Sequence, residues 1–582
     1  MGLFTSLASA LDRKYGWDRL PRPLGLFTIV YLRKQLRRKN LYDTRLVKPP
    51  PPPPADLSSR TIDGSHNDLR QPSMGSTGTR FGRNVPLARA VPEPEPDLLE
   101  PSPRLVSREL LTRETFIPVE SVNVLAAAWL QFEVHDWFSH ETEKDGKPFE
   151  ISLTDDDDWP ERPMTIERTQ QDPTGDAAAP TFLTSDSHWW DGSQIYGNNE
   201  EFATRVRDDG GRLRFADDGL PPADLVQQKD LAGVAGNFWV GLGLLHTLFM
   251  REHNAICDAL RREHPSLTDD ELYAKARLVN AALMAKIHTV EWTPAIIAHP
   301  TTVKGMNANW YGLLGERFTK RFGRIGKGEV LSGIPGSSVD HHGVPYSLTE
   351  EFVAVYRMHP LLPDDFTFLS VENDEEIDTR TFPELGALKT RDVLLEFGMP
   401  NSFYSFGRAH PGLITLHNYP KFLQNFVRPD GSGTIDLAAI DITRIRERGV
   451  PRYKEFRELF HRRPVSSFEE LTGNAKVAKE LRDIYGELDR LDLMIGLYAE
   501  PLPKGFGFSD TAFRVFVLMA SRRLKSDRFF TNDYRPEVYT QTGLDWIDRT
   551  TMRDVLLRHY PEVGPALQGV ENAFQPWSRV TS

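Results

Sequence analysis

The sequence predicts a mainly α-helical protein, and three observations carry that expectation. Long stretches repeat apolar residues at three- and four-residue intervals, the period of one helix face. Runs of strict polar–apolar alternation, the mark of half-buried strands, are few. No segment repeats at a fixed period, so the helices are expected to build one core and not a stacked array. With 39% apolar and 26% charged residues over 582 positions, the chain can bury a large core. The formal net charge of −12 argues against nucleic acid as a partner, because phosphate binding requires a basic surface. Cys257 is the sole cysteine, which excludes an intrachain disulfide framework and thiolate metal clusters and fits a reducing compartment.

Taken in order, residues 1–90 read as an N-terminal arm and residues 91–582 as one large domain. Residues 17–39, WDRLPRPLGLFTIVYLRKQLRRK, set an apolar segment directly ahead of Arg33, Lys34, Arg37, Arg38 and Lys39. Such a segment either lies on an anionic membrane surface or docks on the body with a solvated basic end. No apolar run reaches the length of a membrane span, and no signal peptide is read. The protein is therefore expected in the cytoplasm or at a membrane periphery. Met1 to Ser6 fits a myristoylation pattern. Pro49 to Pro54 is a stiff, extended run, and no helix is expected from there to about residue 84.

The first strong helix is predicted over 121–138, with Ser121 as its N-cap. Gln131 and His135 lie one turn apart and share a face, while Ala127 and Ala128 upstream leave room for something flat. Asp136 points elsewhere. The acidic run Asp155 to Asp158 reads as a solvated loop. In SHWWDGSQIYG, Ser187, Asp191 and Ser193 place oxygens at near-alternating positions, which suits a hard cation wrapped by a loop. Further helices are predicted over 236–262, 269–297, 347–359, 467–485 and 509–525.

Within the 347–359 helix, Tyr356 and His359 fall on one face. A neutral imidazole can ligate a haem iron, and a phenol beside a porphyrin can be oxidised to a radical. Alone, the pair reads more readily as ordinary core residues, because a buried histidine beside an aromatic is usually one. His135, far upstream beside small residues, suits the opposite side of a haem.

The blocks QFEVHDW, WWDGSQIYG, LLHTLFMREHN, YRMHPLLPDDF, DLAAIDITRIRERGVPRYKEF and LDLMIGLYAEP follow one another in an order that resembles the animal haem peroxidase and cyclooxygenase superfamily. That resemblance implies a mostly helical fold around one central b-type haem, with His135 distal, Gln131 its neighbour and His359 the proximal ligand. A tyrosine three residues before the proximal histidine, here Tyr356, marks cyclooxygenases and fatty-acid dioxygenases. Halide-oxidising peroxidases use a distal arginine and acidic residues esterified to the haem. Here Val134 precedes the distal histidine and AGNFWVGLGLLHTL holds no Arg-x-x-Glu, so the resemblance implies non-covalent haem. HDWFSH, HTVEWT and SRRLKSDRFF are most similar to the fatty-acid α-dioxygenases of plants and bacteria.

What such an enzyme implies is specific. Peroxide activates the haem, a Tyr356 radical takes hydrogen from C2 of a fatty acid, and O2 adds to give a 2-hydroperoxy acid. The acid can then lose carbon dioxide to leave a shortened aldehyde. By resemblance, His288 and Thr293 bind the carboxylate with an arginine, either Arg522 or Arg523. Calcium is held by Asp136, Ser187, the Trp189 carbonyl, Asp191 and Ser193, with serine at 187 in place of the usual threonine. The rival readings are a general haem peroxidase, a cyclooxygenase-like mid-chain dioxygenase, and a silent haem-binding or membrane-associated scaffold.

Overall fold

The computed structural model describes residues 3–44, 48–135, 137–144, 146–176, 179–226, 229–232, 237–428 and 433–581. Gly2 of the myristoylation pattern and Asp136 of the cation set lie outside them. Helices carry the fold; the strands form short two-stranded antiparallel pairs.

Two helices open the chain, α1 (Leu3–Tyr15) and α2 (Arg22–Lys39), packed against each other. Between them Trp17 is buried and donates its indole N–H to Asp510, 2.6 Å away. The expected arm is thus laid down on the body, and it continues so. Pro49 to Pro54 is non-helical, Arg60 pairs with Asp527 at 2.8 Å, and the Asn84 N–H donates to Glu351 at 2.6 Å.

The next helix that shapes the interior is α3 (Val124–Val134), shorter at both ends than 121–138 predicts. Its N-cap is Asn123, whose side chain accepts from the Ala126 N–H, and Ser121 lies outside it. Apolar nearly all round, α3 is buried on every side except its last turns. It packs on α4 (Val240–Glu263), where Gly241 is required: a Cβ there would sit 2.4 Å from the Trp239 ring and 2.9 Å from Ala128. Ala128 therefore serves the helix crossing, and Ala127 alone of the pair lines a cavity. The acidic run is not simply solvated either. Arg104 and Arg108 clamp Asp157 at 3.2 and 3.1 Å, and Asp157 is buried.

Thr268 and Glu271 form a reciprocal capping box that starts α5 (Asp269–Ile287). The predicted single helix over 269–297 is in fact interrupted. At His288–Trp292 the backbone widens into a π turn, closed by the Thr293 N–H on the His288 carbonyl, before a last α turn at Thr293–Ile296. Then come α6 (Pro300–Tyr311), α7 (Glu316–Phe322) and the short α8 (Glu350–Val355). A hairpin of β1 (Asp365–Leu369) and β2 (Glu376–Thr381) follows, then α9 (Leu437–Glu447). The helix predicted over 467–485 is broken at Gly473, in left-handed backbone, into Phe468–Thr472 and Ala475–Tyr485. Ser509 caps α10 (Asp510–Ser526), which packs against both α2 and α8.

Candidate active site

Two cavities lie on either side of the Tyr356–Phe516 ring pair. The first holds about 880 Å³ between the last turns of α3 and the segment following α8; Ala127, Gln131 and His135 line it from α3, and Tyr356, Arg357 and His359 from the other. The predicted common helix for Tyr356 and His359 does not exist, because α8 stops at Val355 and His359 opens a separate 3₁₀ turn, His359–Leu361. The reason is local and tertiary. A residue before proline disfavours the α conformation, and the Tyr498 hydroxyl captures the Arg357 carbonyl. Both side chains nevertheless reach the same cavity.

His135, at the C-cap of α3, is buried, and neither ring nitrogen has a hydrogen-bond partner among the described residues. Burial, seconded by the nearby charge of Lys229, lowers its pKa to about 4. The ring is neutral with a lone pair free for a proton. Gln131 is held by the Trp239 indole, which donates to its Oε1 at 2.7 Å. On His359 the Nδ1 lies 2.9 Å from Asp441 of α9. Burial pushes the Asp441 pKa up, but Arg357, 3.3 Å away, and His359 outweigh it and keep the carboxyl ionised below its ordinary value. A carboxylate on Nδ1 fixes the tautomer and leaves the Nε2 lone pair for the cavity. These residues fit a haem: an oriented imidazole on one wall, an unpartnered one on the other.

The second cavity holds about 940 Å³ and is largely apolar, with Leu26, Ile29 and Val30 of α2 facing Met306, Phe513 and Phe516. Buried His288 and Thr293 line it too. Leu313 and Val330, 42% and 45% exposed, mark where it reaches the surface. Phe516 joins the two cavities, since its ring lies 4.5 Å from that of Tyr356. The Tyr356 hydroxyl is buried without a partner among the described residues, and burial, only partly countered by Arg523, raises its pKa well above the ordinary phenol value.

The Trp129 indole donates to His288 Nδ1 at 3.2 Å. An indole can only donate, so His288 carries its proton on Nε2, available to the cavity. Burial and then Arg523 lower its pKa to about 3, so the ring is neutral. The π turn supports the pairing with Thr293, because i→i+5 closure stacks residues five apart. The Thr293 hydroxyl rests on the His288 carbonyl at 2.7 Å.

The two arginines separate cleanly. Arg522 donates to the carbonyls of Val344, Pro345 and Ser347 at 2.8, 2.9 and 3.3 Å and holds that loop. Arg523 stacks on Trp137 at 4.0 Å, donates to the Trp189 carbonyl at 3.1 Å, and has its Nε and Nη1 buried without partners among the described residues. Trp137 in turn lies 5.5 Å from His288 and 5.4 Å from Tyr356, ring to ring. Beside this group sits Glu133, which accepts from Trp190 at 2.8 Å and whose pKa burial raises to about 8. Ser187, Trp189, Asp191 and Ser193 share one loop, with Ser187 donating to Asp191 at 2.8 Å and Arg277 lying 3.5 Å from the same carboxylate.

Sequence reasoning gave no role to Asp441, Trp137, Glu133 or Trp239. Asp441, Trp137 and Glu133 lie inside blocks that carried the resemblance, but only the fold shows what they touch.

A helical shell around a cavity faced by two such histidines defines a haem oxidoreductase. Residues 59–574 match the animal haem peroxidase family. The chain is 39% identical to α-dioxygenase PIOX of Oryza sativa subsp. japonica, over 98% of this chain and 94% of that one. It superimposes on a crystal structure of an O. sativa fatty acid α-dioxygenase variant with palmitic acid at a TM-score of 0.93, with 37% identity over 99% of this chain and 98% of the other. The Arabidopsis thaliana fatty acid α-dioxygenase structure gives a TM-score of 0.92 at 36% identity, covering 100% and 93% of the two chains. The chain belongs to the animal haem peroxidase family and, within it, to the α-dioxygenases.

Proposed function

We infer that this chain is a haem-dependent fatty-acid α-dioxygenase that uses Tyr356 as its radical carrier, and that the first cavity takes one non-covalent b-type haem. The observation that carries the reading is that Tyr356, which lines the first cavity, packs at 4.5 Å on Phe516, which lines the second. A polar, histidine-walled space lies on one side of this phenol and a long apolar one on the other.

His359 Nε2 would ligate the iron, oriented by Asp441, and Arg357 would pair with a porphyrin carboxylate. Bound there, the haem supplies the one-electron oxidant, raised from peroxide, that makes the Tyr356 radical. His135 would take the peroxide proton on a ring nitrogen, for which a neutral, unpartnered imidazole is suited, and Gln131, fixed by Trp239 and donating weakly to the Asn237 carbonyl, has a second amide N–H to offer a ligand in the same space.

For the substrate carboxylate, His288 Nε2–H would donate from the wall of the second cavity, the Thr293 hydroxyl would turn its proton from the His288 carbonyl to the ligand, and Arg523, stacked on Trp137 just outside that lining, would supply the positive charge. Neutral Glu133 leaves the charge of Arg523 uncancelled. The alkyl tail then runs along Leu26, Ile29 and Val30 toward the surface, and C2 is the carbon presented to Tyr356. The phenoxyl oxygen takes one hydrogen atom from C2, O2 adds to the carbon radical, and the resulting peroxyl regains a hydrogen from Tyr356. The 2-hydroperoxy acid breaks down to carbon dioxide, water and an aldehyde one carbon shorter. Calcium would sit in the loop of Ser187, Trp189, Asp191 and Ser193, with Asp136 completing the set, and would tie that loop to the end of α3 beside His135.

The decisive experiment incubates the haem-loaded protein with palmitate and O2 and identifies products by mass spectrometry. Oxygen at C2 and the shortened aldehyde are expected. Oxygen at a mid-chain carbon, or equal turnover of the methyl ester, would replace this reading with a cyclooxygenase-like one.

A further inference from the structure

The tunnel reaches the surface beside a segment that the proposed chemistry does not use. Residues 313–331, LLGERFTKRFGRIGKGEVL, leave α6, form α7 and return to the rim. Large apolar side chains are held in solvent along it: Phe322 is 63% exposed, Ile325 56% and Leu331 54%. A surface cluster of that kind is what a soluble monomer avoids unless something covers it. The cations around it are equally unusual in a chain of net charge −12. Arg317, Lys320, Arg321, Arg324 and Lys327 stand against Glu316 and Glu329 only. Their partners divide them further. Lys320 is paired with Glu316 at 2.8 Å, and Arg324 holds the loop closed by donating to the carbonyls of Trp310 and Ser332 at 2.5 and 2.6 Å. Arg317, Arg321 and Lys327 are exposed and have no acidic partner among the described residues. Glu329 faces inward on Arg37, 2.8 Å away, so it does not neutralise them.

We propose that residues 313–331 dock the protein on an anionic phospholipid bilayer, with Phe322 and Ile325 entering the interface and Arg317, Arg321 and Lys327 facing the head groups. The occupant is argued from three features together. The exposed side chains are apolar at their centre and cationic around it, the pattern of an interfacial anchor. They adjoin the rim residues Leu313 and Val330 of an apolar tunnel. No helix of the described residues is long and apolar enough to cross a membrane, so contact would be peripheral. On α2, Leu26, Ile29 and Val30 are turned into the tunnel, whereas Leu24, and Phe4 and Leu7 of α1, are exposed. The consequence is delivery: a fatty acid dissolved in a bilayer would slide into the tunnel without crossing water. This rests on the tunnel being the fatty-acid site.

The test uses the full, haem-loaded chain and co-sedimentation with phosphatidylcholine vesicles, with and without phosphatidylserine. Wild type is expected to bind the anionic vesicles, less so at high salt. Arg317→Ala/Arg321→Ala/Lys327→Ala should weaken that binding on the order of a hundredfold, at about fivefold per surface cation near such a membrane. Phe322→Ser/Ile325→Ser should release it from both kinds of vesicle. Neither variant touches the tunnel lining, so turnover of monomeric fatty acid in buffer should be unchanged while turnover of vesicle-borne fatty acid falls. Absence of vesicle binding by wild type, or equal binding by the variants, overturns the docking proposal. Failure to turn over even monomeric fatty acid would instead overturn the tunnel reading, so the two failures are distinguishable.

Discussion

Tyr356 is packed by Phe516, Phe352, Phe138 and Trp137, with ring centroids 4.5 to 5.4 Å away, and its hydroxyl has no partner among the described residues. Tyr356→Phe keeps every one of those contacts. Because an unpaired buried hydroxyl costs about 1 to 3 kcal/mol, the variant should be as stable as wild type or slightly more so, with unchanged haem uptake. It should show no oxygen uptake with fatty acid; retained uptake would remove the phenol from the mechanism. Glu133 adds a pH signature. Its folded pKa of about 8 lies above the ordinary 4.5, so its contribution to stability is complete below about pH 4.5 and is lost as pH rises through 8. The same ionisation would draw on the charge of Arg523. KM for a fatty acid should therefore climb above pH 8, and Glu133→Gln should flatten both the climb and the thermal-stability profile. An unaltered KM profile in the variant would show that Glu133 does not compete for Arg523.

At the scale of elements, the helical class and most helix positions were legible because apolar periodicity and caps are local signals. Ser509, Ser467 and Thr268 lie next to the helices they cap, so the starts over 467–485, 509–525 and 269–297 could be read. The failures are places where distant groups intervene. Nothing in residues 347–359 announces that Tyr498 will take the Arg357 carbonyl, and nothing in HTVEW fixes a π turn. Spacing alone could not separate neighbours on α10 either, yet one arginine holds a loop and the other is left with unpartnered N–H groups. That division makes a paired prediction. Arg523→Ala should raise KM for a fatty acid about ten- to a hundredfold, the loss of a charge-assisted hydrogen bond of about 1.5 to 3 kcal/mol, with peroxide reduction almost untouched. Arg522→Ala should lower thermal stability through the orphaned carbonyls of residues 344–347 and leave KM nearly as it was. Reversal of the two outcomes would exchange their roles.

Across the whole molecule, the site is assembled from segments far apart in sequence, and this is why half of it stayed hidden. His359 and Tyr356 could be nominated from one short block, but Asp441 acquires its meaning only when α9 crosses beneath His359. The same holds for the loop of Ser187, Trp189, Asp191 and Ser193, which touches Arg523 of α10 through the Trp189 carbonyl and Arg277 of α5 through Asp191. Two explanations of that loop make different demands. If a calcium ion occupies it, wild type should contain about one calcium per chain by elemental analysis, since oxygen-ligand loops of this kind bind the ion stoichiometrically. Chelation should then lower the melting temperature and the haem content together. If Asp191 acts only as the partner of Arg277, chelation should change neither. Asp191→Ala removes the carboxylate under both explanations and should destabilise by about 3 to 5 kcal/mol, because it leaves the buried guanidinium of Arg277 unpaired. That variant alone therefore decides nothing, and the discriminating measurement is chelation of wild type beside Arg277→Met. A calcium loop should stay chelator-sensitive when the competing cation is gone, whereas a bare ion pair should be equally insensitive in both proteins.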